Sequence, residues 1–236
     1  MLNLKSLLAE HTKIDLTPVQ SAAFEHYQAL LLEWNQKFNL TAITDPQEMQ
    51  LKHFYDSLTC LRAIPPDAKS LIDIGCGAGL PGIPLKIMLP GLKLVLVDSV
   101  GKKVEFCKIA AQELGLTDVT ALHARVEDLG QDKLHREQYD WAVARAVAPL
   151  PVLAEYLLPL VCVGGSMLAQ KGASAASELE LANKAIRILG GGQAKVDSFE
   201  LPVTHDQRAL IQVVKERNTP AQYPRKAGTP SKKPLG

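Results

Sequence analysis

Apolar and polar positions follow two rhythms along the chain, and the rhythm changes between residues 64 and 70. In the earlier part Phe24, Tyr27, Leu31, Trp34 and Phe38 recur three and four residues apart, which predicts the buried face of one helix. Thr17 and Pro18 stand before that stripe as N-cap and first-turn residues. Asp45, Pro46 and Glu48 repeat the start signal at capping-box spacing and predict a second helix through "QEMQLKHFYDSLTCLRAI". The stretch "IPPDAKS" then breaks the chain.

From Ser70 onward, short apolar runs replace the stripe. "LIDI", "LKLVLV", "VTAL", "YDWAVARAV" and "GSMLAQ" read as buried strands, with helical segments "GIPLKIML", "GKKVEFCKIAAQELG" and "LPVLAEYLLPLV" between most of them. That alternation predicts a doubly wound, Rossmann-like parallel sheet with right-handed crossovers. After a last helix, "SELELANKAIRIL", the runs "QAKVDSFEL" and "ALIQVVKER" follow one another with no helix between them. They predict an antiparallel pair at the end of the sheet. The expected division is an N-terminal helical extension over 1–66, an α/β domain over 67–217 and a basic, Pro-rich tail over 218–236.

Composition narrows the classes. A chain of 236 residues, 47% of them apolar, can bury one substantial core. There is no run of about 18 uncharged apolar residues, and "MLNLKSLLAEHTKID" lacks the h-region and cleavage site of a signal peptide. Cys60, Cys76, Cys107 and Cys162 are too scattered for a CxxC ligand pair and too few for a disulfide framework. The expectation is a soluble cytoplasmic protein with reduced thiols. Its net charge of +1 conceals an asymmetry, because 208–236 holds seven Lys or Arg against one acid, Glu216. That end carries +6 and the remainder −5, so a polyanion would meet Arg225, Lys226, Lys232 and Lys233 first. Four prolines there, Pro220, Pro224, Pro230 and Pro234, predict extended backbone.

The chemistry lies where the first strand ends. Gly75, Gly77 and Gly79 form a GxGxG turn behind "LIDI", and residues without a Cβ let backbone N–H groups approach a ligand closely. Asp98 ends the second strand 19 residues beyond Gly79, where a carboxylate can accept both hydroxyls of a ribose. The ligand therefore carries a nucleoside. A dinucleotide fingerprint GxGxxG would need glycine where Leu80 stands. Asp73, inside the first strand, is costly to bury unless bonded, and can orient the glycine loop or reach a ligand ammonium.

Acid, strand, GxGxG and distant Asp together resemble the S-adenosylmethionine-dependent methyltransferases, whose fold is a seven-stranded sheet ending in such an antiparallel pair. The segments "NLTAITDP", "HFYDSL", "DIGCGAGLPGIPL", "LVDSVGKKVEF", "ARVED" and "ARAVAPL", in that order, closely resemble the bacterial ribosomal RNA small subunit methyltransferase G family, once called glucose-inhibited division protein B. The resemblance covers most of the chain. It implies S-adenosyl-L-methionine as cofactor and methylation of a guanine N7 in 16S ribosomal RNA, free or in a ribosomal particle. It also implies no metal and no membrane, and we expect a monomer.

Carried over by position, the resemblance assigns Gly75 and Leu80 to the cofactor, Asp98 to its ribose, Val126 and Glu127 to its adenine, and Arg145 to the cofactor side. His53, Asp56 and Ser57 share a predicted helix face and are candidates for a role beside the reacting atoms. Their alternative reading is a surface network with Lys52. Lys102, Lys103, Arg125 and Lys171 are candidate phosphate contacts. "RAVAPLP" follows the fourth strand where an amine methyltransferase would carry an Asn-Pro-Pro-Tyr-like segment, and Cys162 falls in a hydrophobic run with no base near it in sequence. Guanine N7 already exposes a lone pair, so the expected mechanism is positioning without an obligatory general base. The competing readings are a methyltransferase for a small molecule or protein, a nicotinamide-dependent dehydrogenase, and a non-catalytic RNA-binding module. Leu80 opposes the dehydrogenase. Asp73, GxGxG and Asp98 together oppose the module.

Overall fold

Leu71, Leu94, Leu96 and Val143 belong to one apolar cluster and Ile72, Ile74, Val97 and Ala142 to another, so alternate residues of each strand enter different cores. Both faces of the sheet are thus covered. In the computed structural model, which describes residues 3–235, the strands are β1 (Ser70–Ile74), β2 (Lys93–Asp98), β3 (Val119–His123), β4 (Tyr139–Arg145), β5 (Val161–Lys171), β6 (Gly191–Glu200) and β7 (Gln207–Lys215). They form one sheet in the order β3-β2-β1-β4-β5-β7-β6. Neighbours up to β5 are parallel, whereas β7 runs antiparallel to both β5 and β6. This is the seven-stranded, mostly parallel sheet with a final antiparallel pair that the pattern predicts.

Helices Gly82–Met88 and Gly101–Glu113 cover one face. The N-terminal helices Leu4–His11 and Pro18–Lys37 lie against that face too, and share its core rather than forming one of their own. Phe24 and Tyr27 meet Phe54 at ring-centroid distances of 5.4 Å, and Tyr27 meets Phe106 at 6.4 Å. Helices Leu150–Leu157 and Ala175–Ile188 cover the other face.

Local differences from the pattern have local causes. Thr17 forms a full capping box, with Gln20 Oε1 accepting from the Thr17 N–H and Thr17 Oγ1 from the Gln20 N–H. At the second start, Asp45 Oδ1 accepts from the Gln47 and Glu48 N–H groups, but Glu48 turns outward to Lys52 at 2.8 Å, so the reciprocal half of the box is missing. The helix that follows is not uniformly α. Met49–Tyr55 winds as a π-helix and Thr59–Arg62 as a 3-10 turn. β5 begins at Val161, where a helix was expected to end, because Pro159 closes the helical run with the 3-10 turn Leu158–Leu160.

The tail corrects the expectation of an extended segment. Pro224 and Pro230 are buried, and Arg225 pairs with Glu155, which is 0% exposed. Prolines lack the N–H that would build secondary structure, so the carbonyls of this segment need donors from elsewhere. Arg136 donates to the carbonyls of Thr219 and Tyr223, and Gln131 to that of Pro224.

Candidate functional site

At the carboxyl ends of β1, β2 and β3 the sheet edge carries a crevice of about 160 Å³, lined among others by Gly75, Asp98, Arg125, Val126, Glu127 and Tyr156. Its floor is the turn Gly75–Gly79, whose three glycines have φ of +67°, +57° and +86°. A Cβ on Gly75 would meet the Val147 side chain at 2.5 Å, so both conformation and space require glycine there. Cys76 N–H donates to the Val97 carbonyl at 3.0 Å, which ties the turn to the neighbouring strand. The Tyr27 hydroxyl, arriving from the N-terminal helical layer, donates to the Ala78 carbonyl.

Two carboxylates hold this loop from below and beside it. Asp73 is fully buried and its Oδ2 accepts from the Gly82 N–H at 2.8 Å, while its Oδ1 has no partner. Burial raises its pKa to about 7 against the opposing pull of the Gly82 N–H and the Arg145 charge. Asp98 accepts from the Gly77 and Val100 N–H groups at 2.9 Å, one on each oxygen. Each oxygen keeps a lone pair for a hydroxyl. Glu127, at the start of helix Val126–Leu129, is buried and accepts from the Gly228 N–H at 2.8 Å. Gly77, Gly79 and the buried Leu80 shape the turn from behind rather than lining the crevice. An orphaned carboxylate oxygen beneath a loop without Cβ atoms, with Asp98 and Glu127 at its rim, fits the ammonium, ribose and purine of S-adenosyl-L-methionine. The family-assigned pair Val126 and Glu127 stands at that rim.

A second cavity, about 480 Å³, opens on the other side of the segment that follows β4. Arg145 and Ala146 line this cavity, whereas Val147 and Ala148 line the crevice. The chain between them therefore divides two neighbouring spaces. Ala146 has φ of +56°, a conformation an L-residue adopts only when its surroundings impose it. Arg145 faces Asp56, at 3.5 Å, and so belongs to the second cavity rather than to the crevice wall. Arg208 Nε reaches the two Asp56 oxygens at 3.2 and 3.3 Å, and Gln170 donates to Oδ1 at 2.8 Å. Burial pushes the Asp56 carboxyl up, and Arg145 and Arg208 oppose that push.

The helix-face candidates are not a surface network. His53, Asp56 and Ser57 are all buried, and Lys52 pairs outward with Glu48. His53 lines the cavity with Asp56, and its Nε2 lies 2.7 Å from Thr41 Oγ1. Burial and the Arg145 charge lower its pKa to about 4. Ser57 is fully buried, with no hydrogen-bond partner for its hydroxyl, and does not line the cavity.

Among the basic candidates, Lys171 lines the cavity but pairs with Glu178 at 2.6 Å, and Arg225 is bound to Glu155. Lys102 is exposed, with its ammonium over the Phe38 ring at 4.8 Å, and Lys103 is half-buried. Arg125, Lys226, Lys232 and Lys233 are exposed. Arg208, Gln170 and Tyr156 were not singled out from the sequence. Gln170 carries a readable signal, a polar residue closing the apolar run "GSMLAQ". A third hollow is larger, about 700 Å³, against Leu8, Lys13, Arg62 and Phe199. It contains neither the glycine turn nor a strand-end carboxylate, so size does not select the site. Among the described residues no cluster of His, Cys, Asp or Glu could hold a metal ion, and no helix is long and apolar enough to cross a membrane.

Comparison with known proteins extends this geometry. Residues 20–211 match the family model described as rRNA small subunit methyltransferase G. A protein of Desulforamulus reducens named ribosomal RNA small subunit methyltransferase G is 48% identical over 228 residues, covering 96% of this chain and 95% of its own. One of the same name from Alkaliphilus metalliredigens is 51% identical over 210 residues, covering 89% and 88%. Among solved structures, a cofactor-bound protein from MTB superposes with a TM-score of 0.59 at 16% identity, over 90% of this chain and 96% of its own. A SAM-dependent methyltransferase from Aquifex aeolicus gives 0.53 at 14% identity, over 78% and 98%. At such identities these two establish the fold.

Proposed function

The chain belongs to the rRNA small subunit methyltransferase G family, and from that premise we propose that it transfers a methyl group from S-adenosyl-L-methionine to N7 of one guanine in 16S ribosomal RNA. The observation that carries the reading is the pair of spaces divided by residues 145–148, one fitted to a nucleoside and the other lined by arginines at the same sheet edge. S-adenosyl-L-methionine supplies, when bound, an electrophilic methyl carbon on a sulfonium. Gly75, Asp98, Val126 and Glu127 would hold it, with Leu80 supporting the turn from behind and the unpartnered Asp73 Oδ1 beneath the glycine loop as the acceptor for its ammonium.

Arg145, Arg208 and His53 line the space for the base. Guanine N7 would accept the methyl group through its exposed lone pair, and the ring would gain the positive charge that the sulfonium loses. No proton leaves before that step, so the protein's work is alignment. His53 is a weak base at a pKa of about 4, which agrees with a reaction that needs none. Asp56, whose carboxyl burial pushes up and Arg145 and Arg208 pull back, stands beside this space to offset the positive charge that the ring gains. Arg125, Lys102, Lys103, Lys226, Lys232 and Lys233 contact RNA phosphates.

Incubating the chain with S-adenosyl-L-methionine and unmodified 16S RNA, followed by nuclease digestion and mass spectrometry, should yield N7-methylguanosine at a single position. A strain lacking the gene should lose that nucleoside from its small-subunit RNA. An unchanged modification profile in that strain would defeat the assigned substrate.

A further inference from the structure

The segment 219–235 is tied to the body of the protein through Glu137 and Glu155. Thr219 N–H donates to Glu137 Oε1 at 2.8 Å, and Glu137 also pairs with the buried Lys215. Arg225 then clamps Glu155 through its backbone N–H, at 2.8 Å, and its guanidinium, at 2.6 Å. Between these anchors and residue 235 the chain turns into the nucleoside crevice. The Gly228 N–H donates to Glu127 Oε1, and Ser231 Oγ lies 2.9 Å from the Tyr156 hydroxyl. Ser231, Tyr156 and Glu127 all line that crevice. Glu127 is thus a buried carboxylate with one oxygen taken by the tail.

We infer that this segment is the outer wall of the purine end of the crevice, and that Gly228 and Ser231 are positioning residues that select adenine through Glu127 and Tyr156. The inference rests on the methyltransferase reading above. A carboxylate accepts only, so the Glu127 oxygen left free by Gly228 prefers the exocyclic amine of adenine to the carbonyl of hypoxanthine. That preference exists only while the tail holds the carboxylate in one orientation. Gly228, at φ +79° with open space around its α-carbon, is the donor that does so.

The test uses the full chain and S-adenosylhomocysteine against S-inosylhomocysteine in calorimetry. Gly228→Pro removes the donor and cannot adopt the native φ. It should weaken S-adenosylhomocysteine binding at least tenfold and bring the adenosyl-to-inosyl affinity ratio towards one. Ser231→Ala should lower the ratio and Ser231→Thr restore it, an outcome that loss of packing alone would not produce. Hydrogen exchange at 228–232 in the cofactor-free chain should slow when S-adenosylhomocysteine is added. Should Gly228→Pro unfold the chain by circular dichroism, the serine pair decides alone. Undiminished affinity and an unchanged ratio in the folded variants would overturn this inference while leaving the methyltransferase standing. A wild-type chain that binds neither compound would overturn both.

Discussion

Asp73 holds the glycine turn in place, and the proposed function gives it a second task. Its Oδ2 is taken by the Gly82 N–H, and a Cβ on Gly82 would lie 2.9 Å from that oxygen, so loop and strand are packed around the carboxyl. With a folded pKa of about 7 against an ordinary 3.8, the native state keeps a proton that the unfolded chain has lost between those values. Its contribution to stability therefore falls as pH rises through that window and levels off above it. Asp73→Asn, which keeps the acceptor for Gly82, should flatten that fall by roughly 2–4 kcal/mol in denaturant titrations at pH 4 and 8. Binding of a cationic ammonium favours the ionised carboxyl. Cofactor binding to the wild type at pH 6 should accordingly release close to one proton, read from calorimetry in buffers of different ionisation enthalpy, and Asp73→Asn should abolish the release. At Asp56 the expected outcome is a single-turnover rate reduced roughly tenfold in Asp56→Asn, about 1.4 kcal/mol of barrier. An undiminished rate would remove Asp56 from the chemistry.

At the scale of elements, the N-terminal helices gain their role from where they touch the sheet. Pro18–Lys37 brings Tyr27 to the glycine turn, and its apolar stripe stacks on Phe54 and Phe106. Tyr27→Phe keeps the ring and removes the bond to Ala78, so chemical denaturation should show a loss of about 1 kcal/mol. The turn it steadies should loosen with it, weakening cofactor affinity several-fold. Helical periodicity and the Thr17 cap were legible in the sequence because they depend on residues three and four apart. The π-helical turn at Met49–Tyr55 was not, because a five-residue hydrogen bond leaves no repeat in so short a run. That turn precedes Asp56, so the burial of His53 and Asp56 was equally hidden.

Over the whole molecule, charge and topology divide the work. The +6 end is not a uniform basic brush, since Arg225 and Lys215 are spent on Glu155 and Glu137 inside the protein. Lys226, Lys232 and Lys233 stay exposed, beside a segment whose other side enters the crevice. Replacing all three with alanine should weaken 16S RNA binding and lower the slope of log affinity against log salt by about 2, with S-adenosylhomocysteine affinity unchanged. The sequence by itself determined the alternation of strands and helices, the glycine turn, and the carboxylates Asp73 and Asp98, because each depends on the spacing of near neighbours. It also carried the family resemblance through segments in fixed order. Only the tertiary structure decided that Arg208 meets Asp56, 152 residues away, because the antiparallel β7 brings its first residues to the edge where β5 ends. It alone decided that Gly228 meets Glu127, 101 residues away, because carbonyls between prolines took their donors from Arg136 and Gln131. Local spacing sets which elements form and which faces are apolar; the pairing of distant edges depends on sheet order and packing, which no short window of sequence contains.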